Sequence, residues 1–415
     1  MKKEVQVMNQ TIWIINQYAS HLKTRHESLA KVFSEHGFQV VVITSSFHHG
    51  QRAYLYREPI AYHAVCDGVT YVYLHSGPSY QNNGAGRIIN MLDFCRLVWK
   101  YKGDIERRTG MPGYVIASSA PPFVWEAGRA VARKFHAKFI AEFRDIWPLS
   151  LVDVQGMHPR HPLVWLLGII EKRAYRHADA IVSTMPDAWK HVVEVSGVQR
   201  EKVHWMPNGI NVRENDAWLD SAERLPADLE DYLSSHWCCI YIGSIVKSER
   251  LDYLVETIGQ MENEGVYFAI VGQGHEQGNI QKLIDQSGHK NIRMFPFIER
   301  SLIQKALRRS RCCVAACKKD AKAGQFGLSM YKLNDYLYSG VPTIFAYDLP
   351  SVVSQAGHFT VPYGDKEAFV QAVRQVREAD DRALAVLAEN ARHMIHEQYD
   401  YASIGEKYLK MLTSC

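Results

Sequence analysis

Short runs of β-branched and aromatic residues alternate with longer amphipathic segments along the chain, the pattern of successive βα units that build parallel sheets. In the first half the expected strands are 11–15, 40–44, 70–74, 114–117, 138–142, 180–184 and 203–206. Between them, apolar positions at helical spacing predict helices near 25–36, 86–108, 122–136, 162–177 and 187–196. The pattern pauses at Asn208-Gly209, and the polar stretch from Arg213 to Pro226 reads as a linker. A second series then starts, with strands expected at 239–242, 267–271, 292–295, 313–316, 343–345 and 360–361. Its helices are expected at 251–263, 275–287, 299–309, 329–339, 365–378 and 382–398. The fold class is α/β: two Rossmann-like domains, 1–212 and 213–395, facing a cleft, with 396–415 as a C-terminal helix packing back on the first. Ligands of open α/β sheets bind beyond the carboxyl ends of the strands, so the cleft is the expected site.

Composition narrows the class. With 415 residues, 47% hydrophobic and 22% charged, the chain is long enough for two or three domains and unlike disordered or coiled-coil sequences. The opening Met1–Gln6 is polar and carries no secretory pattern, and the longest apolar stretch, Leu163 to Ile170, is far short of the ~20 residues that span a bilayer. A soluble or peripheral protein of the cytoplasm, or of the inner face of the plasma membrane, is expected. Net charge is +4, unevenly spread: residues 1–213 carry 26 Lys and Arg against 17 Asp and Glu, the remainder 22 against 27. A basic first half suits an anionic partner such as phosphate-bearing lipid. The eight cysteines form no C-x-x-C pair, and Cys238, Cys239, Cys312, Cys313 and Cys317 lie in apolar runs as buried thiols of a reducing compartment.

Several places could carry chemistry. After the first strand, Ser20 to His26 lead into a helix whose N-terminus suits an anion. Thr24 and Glu27 have capping-box spacing, while Arg25 and His26 are cations where the dipole disfavours them, so each is either local or functional. The run Lys138–Pro148 ends a buried strand in Arg144-Asp145, aimed into the cleft or paired to fix the loop, and Ser118-Ser119 ends the preceding strand. In the second half, Lys247 or Arg250 beside Gly243 could neutralise a diphosphate, and Gly272-Gln273-Gly274 lacks the third glycine of a dinucleotide fingerprint. The most informative segment is Ala323 to Tyr336: its glycines allow close approach, Ser329 can cap, and Lys332 and Asp335 share a helix face. His48-His49 reads as surface loop. There is no Asp-x-Asp, no zinc-like spacing, no G-x-S-x-G and no P-loop.

The segments 13–18, 24–26, 42–47, 143–148, 178–182, 206–210 and 326–329 with Lys332-Leu333, in that order and spacing, resemble retaining glycosyltransferases of family 4, with the two-domain GT-B fold. Within that family the chain is similar to the bacterial subgroup that builds capsule, O-antigen and exopolysaccharide. The resemblance implies a nucleotide-sugar donor, UDP-sugar favoured, on the C-terminal domain. Nucleoside contacts would come from Gly272, Gly274, Phe297, Ile298, Lys332 and Asp335, and diphosphate contacts from Lys247 or Arg250 with Gly327, Leu328 and Ser329. Arg144, Asp145 and His26 would be catalytic, with Arg25, Ser118 and Ser119 on the acceptor side. The acceptor would be a lipid-linked saccharide or polysaccharide, reached at an anionic membrane surface, with no nucleic acid involved. Two departures stand out. The loop Ser20–Lys23 has no glycine, and the family's paired glutamates would fall on Gly324 and Lys332, although lysine is common at the second place in this subgroup. A GT-B sugar-nucleotide epimerase and a catalytically silent sugar-nucleotide-binding subunit are the alternatives.

Without Asp-x-Asp, helix ends and basic residues must neutralise the diphosphate, so no metal cofactor is expected. Transfer activity should survive EDTA; activity abolished by EDTA and restored by Mn²⁺ or Mg²⁺ would contradict this.

Overall fold

The computed structural model describes residues 10–21, 25–82, 84–153, 156–318 and 325–415. Thr24, Gly324 and the loop residues Leu22 and Lys23 lie outside them. Two compact bodies are present: the described residues up to Pro207 with 325–329 and Tyr401–Cys415, and the described residues of 208–318 with Met330–Asp400.

Among the described residues, the first body holds an eight-stranded sheet. Its strands are β1 (Thr11–Ile15), β2 (Gln39–Ser45), β5 (Ile60–Cys66), β6 (Val69–Leu74), β7 (Tyr114–Ser118), β8 (Lys138–Phe143), β9 (Ala180–Ser183) and β10 (Val203–Trp205), with a separate hairpin of β3 (Phe47–His48) and β4 (Ala53–Tyr54). The sheet order is β10-β9-β8-β7-β1-β2-β6-β5, parallel throughout except for β5 against β6. Central strands are buried on both faces, as parallel sheets require. Along β1, Trp13 and Ile15 pack with the helices Ala85–Thr109, Phe123–Phe135 and Pro162–His177, whereas Ile12 and Ile14 face Arg25–Glu35 and the terminal helix Tyr401–Ser414. That terminal helix approaches closely at Gly405, where a Cβ would sit 2.4 Å from Val32, and its Tyr408 packs edge-on against Phe33.

The second body is a six-stranded parallel sheet among the described residues, ordered β13-β12-β11-β14-β15-β16. Its strands are β11 (Trp237–Ser244), β12 (Val266–Gln273), β13 (Ile292–Phe295), β14 (Cys312–Ala316), β15 (Thr343–Ala346) and β16 (Phe359–Val361). Cys238, Cys239, Cys312 and Cys313 are buried within it, and all eight cysteines are free thiols. Helix starts follow capping chemistry: Asp365 accepts from Ala368 N–H at 2.9 Å and Asp380 from Ala383 N–H at 2.7 Å.

Three expectations are corrected. Part of the expected linker is helical, Val212–Leu219, because Asn211 caps it by accepting from Glu214 N–H at 3.0 Å. The edge strand β5 was not expected, since it is half-buried along most of its length and carries no clear alternation. Finally, the helix expected from 329 begins at Tyr331. Met330 holds its N-cap position without a side-chain bond, so Ser329 does not cap it.

Candidate functional site

In the second body a cavity of about 450 Å³ lies at the carboxyl ends of β11 and β12 and the start of helix Tyr331–Ser339. Tyr336 fastens that helix to the sheet, its hydroxyl accepting from Ile242 N–H at 2.8 Å and donating to Ile242 O at 3.1 Å. Gly272 is required where β11 and β12 converge, since a Cβ there would meet Gly243 O at 1.9 Å. Of the expected nucleoside residues, Gly272, Phe297, Ile298, Lys332 and Asp335 line the cavity. Phe297 is 53% exposed and offers an open aromatic face. Asp335 is held by two bonds from Arg300, at 2.5 and 2.6 Å. Lys332 donates to Tyr241 OH at 2.9 Å and pairs closely with Glu249, which also lines the cavity. Burial pushes the Lys332 ammonium down, and the Glu249 charge and hydrogen bond pull it back up. Lysine at this position therefore comes with a carboxylate from the loop after β11.

The remaining expected donor residues stand elsewhere. Gly274 does not line the cavity, because it packs on the backbone, its Cβ position 2.1 Å from Ile245 O. Lys247 is solvent-exposed and outside the cavity. Arg250 is outside it too, turned to Asp252 with bonds of 3.0 and 2.8 Å and lying over the Tyr363 ring. Gly327, Leu328 and Ser329 belong to the first body, where Gly327 (φ +94°) leaves no room for a Cβ against Pro186. The cations that line the cavity are instead Lys332 and Arg300, each paired with a carboxylate that lines it too, Glu249 and Asp335.

In the first body, three of the six expected catalytic and acceptor-side residues, His26, Arg25 and Ser118, bond to a carboxylate that sequence reasoning passed over. Glu142, near the end of β8, is fully buried. Its Oε1 accepts from Ser118 Oγ at 2.8 Å and His26 Nε2 at 3.0 Å; its Oε2 accepts from Tyr408 OH at 3.2 Å and Arg25 Nη2 at 3.4 Å. Arg25 also donates to the carbonyls of Met206, at 2.9 Å, and Pro207. Burial alone would raise the Glu142 carboxyl. The Arg25 charge and the bonds from His26 and Ser118 outweigh it and hold the group well below the ordinary carboxylate range. Burial also pushes His26 down, more than Glu142 pulls it back up. The imidazole is thus neutral, with its proton on Nε2 and the lone pair on Nδ1. The buried Ser119 Oγ and Arg144 Nε have no hydrogen-bond partner among the described residues, and Asp145 is exposed. The cluster can hold one imidazole tautomer in place and offer unsatisfied polar atoms to a ligand.

The signals for the residues missed were slight. Glu142 stood as the single charge inside an apolar strand, and Glu249 was hidden between the cations Lys247 and Arg250. Removing the Glu142 charge strands the buried Arg25, so Glu142→Gln should cost about 3 kcal/mol or more of stability at pH 7. The folded pKa lies below the ordinary 4.5, so the stabilisation is complete above that value and is lost as pH falls beneath it. Urea unfolding at pH 7 and pH 4 should show the wild-type advantage narrowing; equal stability of the two proteins at pH 7 would refute this account.

Comparison with known proteins agrees with these two bodies. Residues 22–209 match a glycosyl transferase 4-like domain and residues 238–378 the glycosyl transferases group 1. A protein of Escherichia coli K12 named for a colanic acid biosynthesis glycosyl transferase, WcaI, is 28% identical over 144 residues, a stretch covering 34% of this chain and only 34% of that protein. Among solved structures, sucrose-phosphate synthase of Thermosynechococcus elongatus aligns over 98% of both chains with a TM-score of 0.72 at 16% identity. Anabaena Alr3699/HepE, in complex with UDP and glucose, aligns over 98% of this chain and all of its own at 0.65 and 12% identity. An E. coli trehalose-6-phosphate protein bound with UDP-2-fluoro glucose aligns over 98% of this chain and 99% of its own at 0.72 and 9% identity. With two family models spanning most of its length and this fold, the chain is a GT-B glycosyltransferase of the glycosyl transferase 4-like and group 1 type.

Proposed function

We propose that the chain moves a sugar from a nucleotide diphosphate donor, UDP-sugar favoured, to a lipid-linked or polysaccharide acceptor in cell-surface glycan biosynthesis, with retention and without a metal cofactor. The observation that carries the donor reading is the second-body cavity, where the open Phe297 face lies beside the Lys332–Glu249 pair. An aromatic face takes a base, and a carboxylate takes the hydroxyls of a ribose, which a lysine alone could not accept. The start of the helix at Tyr331 lines the cavity and brings the positive end of the helix dipole to a departing diphosphate. UDP in the HepE complex and the colanic acid role named for WcaI support the choice of donor and of pathway class. The sugar moved would be a hexose or an N-acetylhexosamine. Base stacking on an aromatic side chain contributes about 1–3 kcal/mol. Phe297→Ala should therefore weaken UDP-sugar binding roughly tenfold by calorimetry. Unchanged affinity would move the base elsewhere. Donor conversion with no acceptor would identify an epimerase, and binding without transfer or hydrolysis a silent subunit.

The acceptor reading extends to a membrane. Of the apolar run 163–170, Leu167 and Ile170 are core, but Trp165 is 68% exposed and Leu166 and Ile169 are exposed beside it. A merely buried helix start does not describe these residues. The exposed Lys172 and Arg173 follow on the same helix, with Arg133 and Lys134 on Phe123–Phe135. No helix among the described residues is long and apolar enough to cross a membrane. An exposed apolar edge bordered by cations fits the surface of an anionic leaflet, where each basic residue contributes about 1 kcal/mol. Sedimentation with anionic vesicles that fades with salt and falls in Trp165→Ser is the expected result; indifference between anionic and neutral vesicles would sink it.

A further inference from the structure

The first body has a groove of about 520 Å³ between three helices, Trp147–Asp153, Pro162–His177 and Ala188–Ser196. Its lining is mostly apolar: Pro148 and Leu149 from the first helix, Val164, Trp165 and Ile169 from the second, and Val195 from the third. Trp165 and Ile169 also belong to the exposed apolar edge, so groove and edge are continuous. Glu171 and His191 line it too, but they are bonded to each other. Glu171 Oε1 accepts from His191 Nε2 at 2.9 Å and from Tyr175 OH at 3.0 Å. Their side chains are 3% and 7% exposed, so they offer an occupant little polar surface.

Two features of the lining are not required by the fold. Gly168 stands in the middle of Pro162–His177, where glycine is less favourable than any residue but proline. A Cβ at that position would meet nothing within 4 Å, so packing does not demand the glycine. Its effect is a notch in the groove where a side chain would otherwise stand. Arg160 and Lys172 are the second feature. Both line the groove, both are exposed, and neither makes an ion pair among the described residues. Cations set into the wall of an apolar groove complement an anion that is attached to an apolar chain.

We propose that this groove seats the isoprenoid chain of a lipid-linked acceptor, with the chain's phosphate against Arg160 and Lys172. A methyl branch of the chain would enter the notch at Gly168, which a straight acyl chain has no group to fill. In an isoprenoid phosphate the anion is bonded to the end of the chain itself, so chain and cations share one groove. In a two-chain phospholipid the glycerol stands between them. The volume lies within the ~300–1,000 Å³ of ligand sites. The inference rests on the reading of the acceptor as lipid-linked, and it goes beyond adsorption to a leaflet because one lipid is held individually.

The test is calorimetry on the full chain with farnesyl phosphate, compared with dodecyl phosphate, farnesol and inorganic phosphate. Farnesyl phosphate should bind severalfold more tightly than dodecyl phosphate and at least tenfold more tightly than farnesol, and inorganic phosphate should not register. A buried methylene is worth roughly a fourfold factor in affinity, so Gly168→Leu, which fills the notch, should weaken farnesyl phosphate about tenfold or more. That variant replaces a mid-helix glycine with a strong helix former, so its melting temperature should not fall. It keeps Trp165, and should sediment with anionic vesicles as the wild type does. Arg160→Gln combined with Lys172→Gln should bring farnesyl phosphate down to the affinity of farnesol. Should Gly168→Leu melt lower than the wild type, the double variant is read alone. No binding of farnesyl phosphate, binding untouched by the variants read, or equal binding of dodecyl phosphate overturns the proposal. Calorimetry needs neither vesicles nor transfer, so indifference to anionic vesicles or lack of transfer would strike the membrane or transferase reading and leave the groove to be judged on farnesyl phosphate.

Discussion

The first body is organised around one buried negative charge. The Glu142 carboxylate takes four donors from three separate stretches of chain, Arg25 and His26 of helix Arg25–Glu35, Ser118 of β7 and Tyr408 of the terminal helix, while its backbone carbonyl accepts from Trp125 Nε1 at 3.0 Å. A carboxylate cannot be buried unless its charge is opposed and its lone pairs filled. Arg25 does the first, and Ser118, His26 and Tyr408 complete the second. The consequence is that the helix carrying Arg25 and His26 can dock in only one register, with the last fourteen residues of the helical tail docked over it. A bond between residues 142 and 408, 266 apart in sequence, explains why the C-terminal helix belongs to the first body rather than the second.

The second body solves a related problem by a different exchange. Lys332, which ordinary helix chemistry would leave to solvent, is drawn inward at the start of helix Tyr331–Ser339 by Glu249 and Tyr241. Its ammonium is 12% exposed and Glu249's carboxylate 13%, so neither could stand there alone. Asp335, one turn further along, is matched by Arg300 in the same way. Two ion pairs therefore line one cavity wall, each joining the helix to a different loop, and they present acceptors and donors side by side without net charge. The wall therefore carries a carboxylate from the loop after β11 beside the lysine of the helix.

Much of the fold was legible because buried parallel strands are written in β-branched and aromatic runs that few other contexts produce; strands 11–15 and 292–295 were located to the residue. What escaped was what depends on neighbours distant in sequence. Strand β5 pairs antiparallel at an edge and needs no apolar run, and helix Val212–Leu219 is set by the Asn211 cap more than by its composition. The site shows the same division. Gly272, Phe297, Ile298, Lys332 and Asp335 line the cavity; the shared helix face of Lys332 and Asp335 was readable from their spacing, whereas Phe297 and Ile298 were named by the family resemblance alone. Arg250 stands outside the cavity, because a loop cation is as well served by the adjacent Asp252 as by a phosphate, and nothing local distinguishes the two. Glu142 was overlooked for the opposite reason: its partners lie between 24 and 266 residues away, so its environment is written nowhere near it.

The basic excess of the first half shows how far a sum of charges can mislead about a surface. Those cations do not form one field. Arg25 is in the core against Glu142, Arg129 is turned to Glu126 at 2.8 Å, and Lys138 to Asp179 at 3.3 Å. Arg52 lies over the Tyr80 ring and Arg87 over the Tyr18 ring, where the face of the ring attracts a guanidinium. Stacking of this kind keeps a cation available to a ligand, because the ring face attracts its charge without neutralising it, whereas a carboxylate partner cancels it. Charge held on aromatics and charge held by carboxylates therefore have different meanings for binding, and composition does not separate them. In this chain the distinction separates first-half cations that build the body, such as Arg25 and Arg129, from those held on rings, such as Arg52, and from those that face solvent, such as Arg133, Lys134 and Lys172.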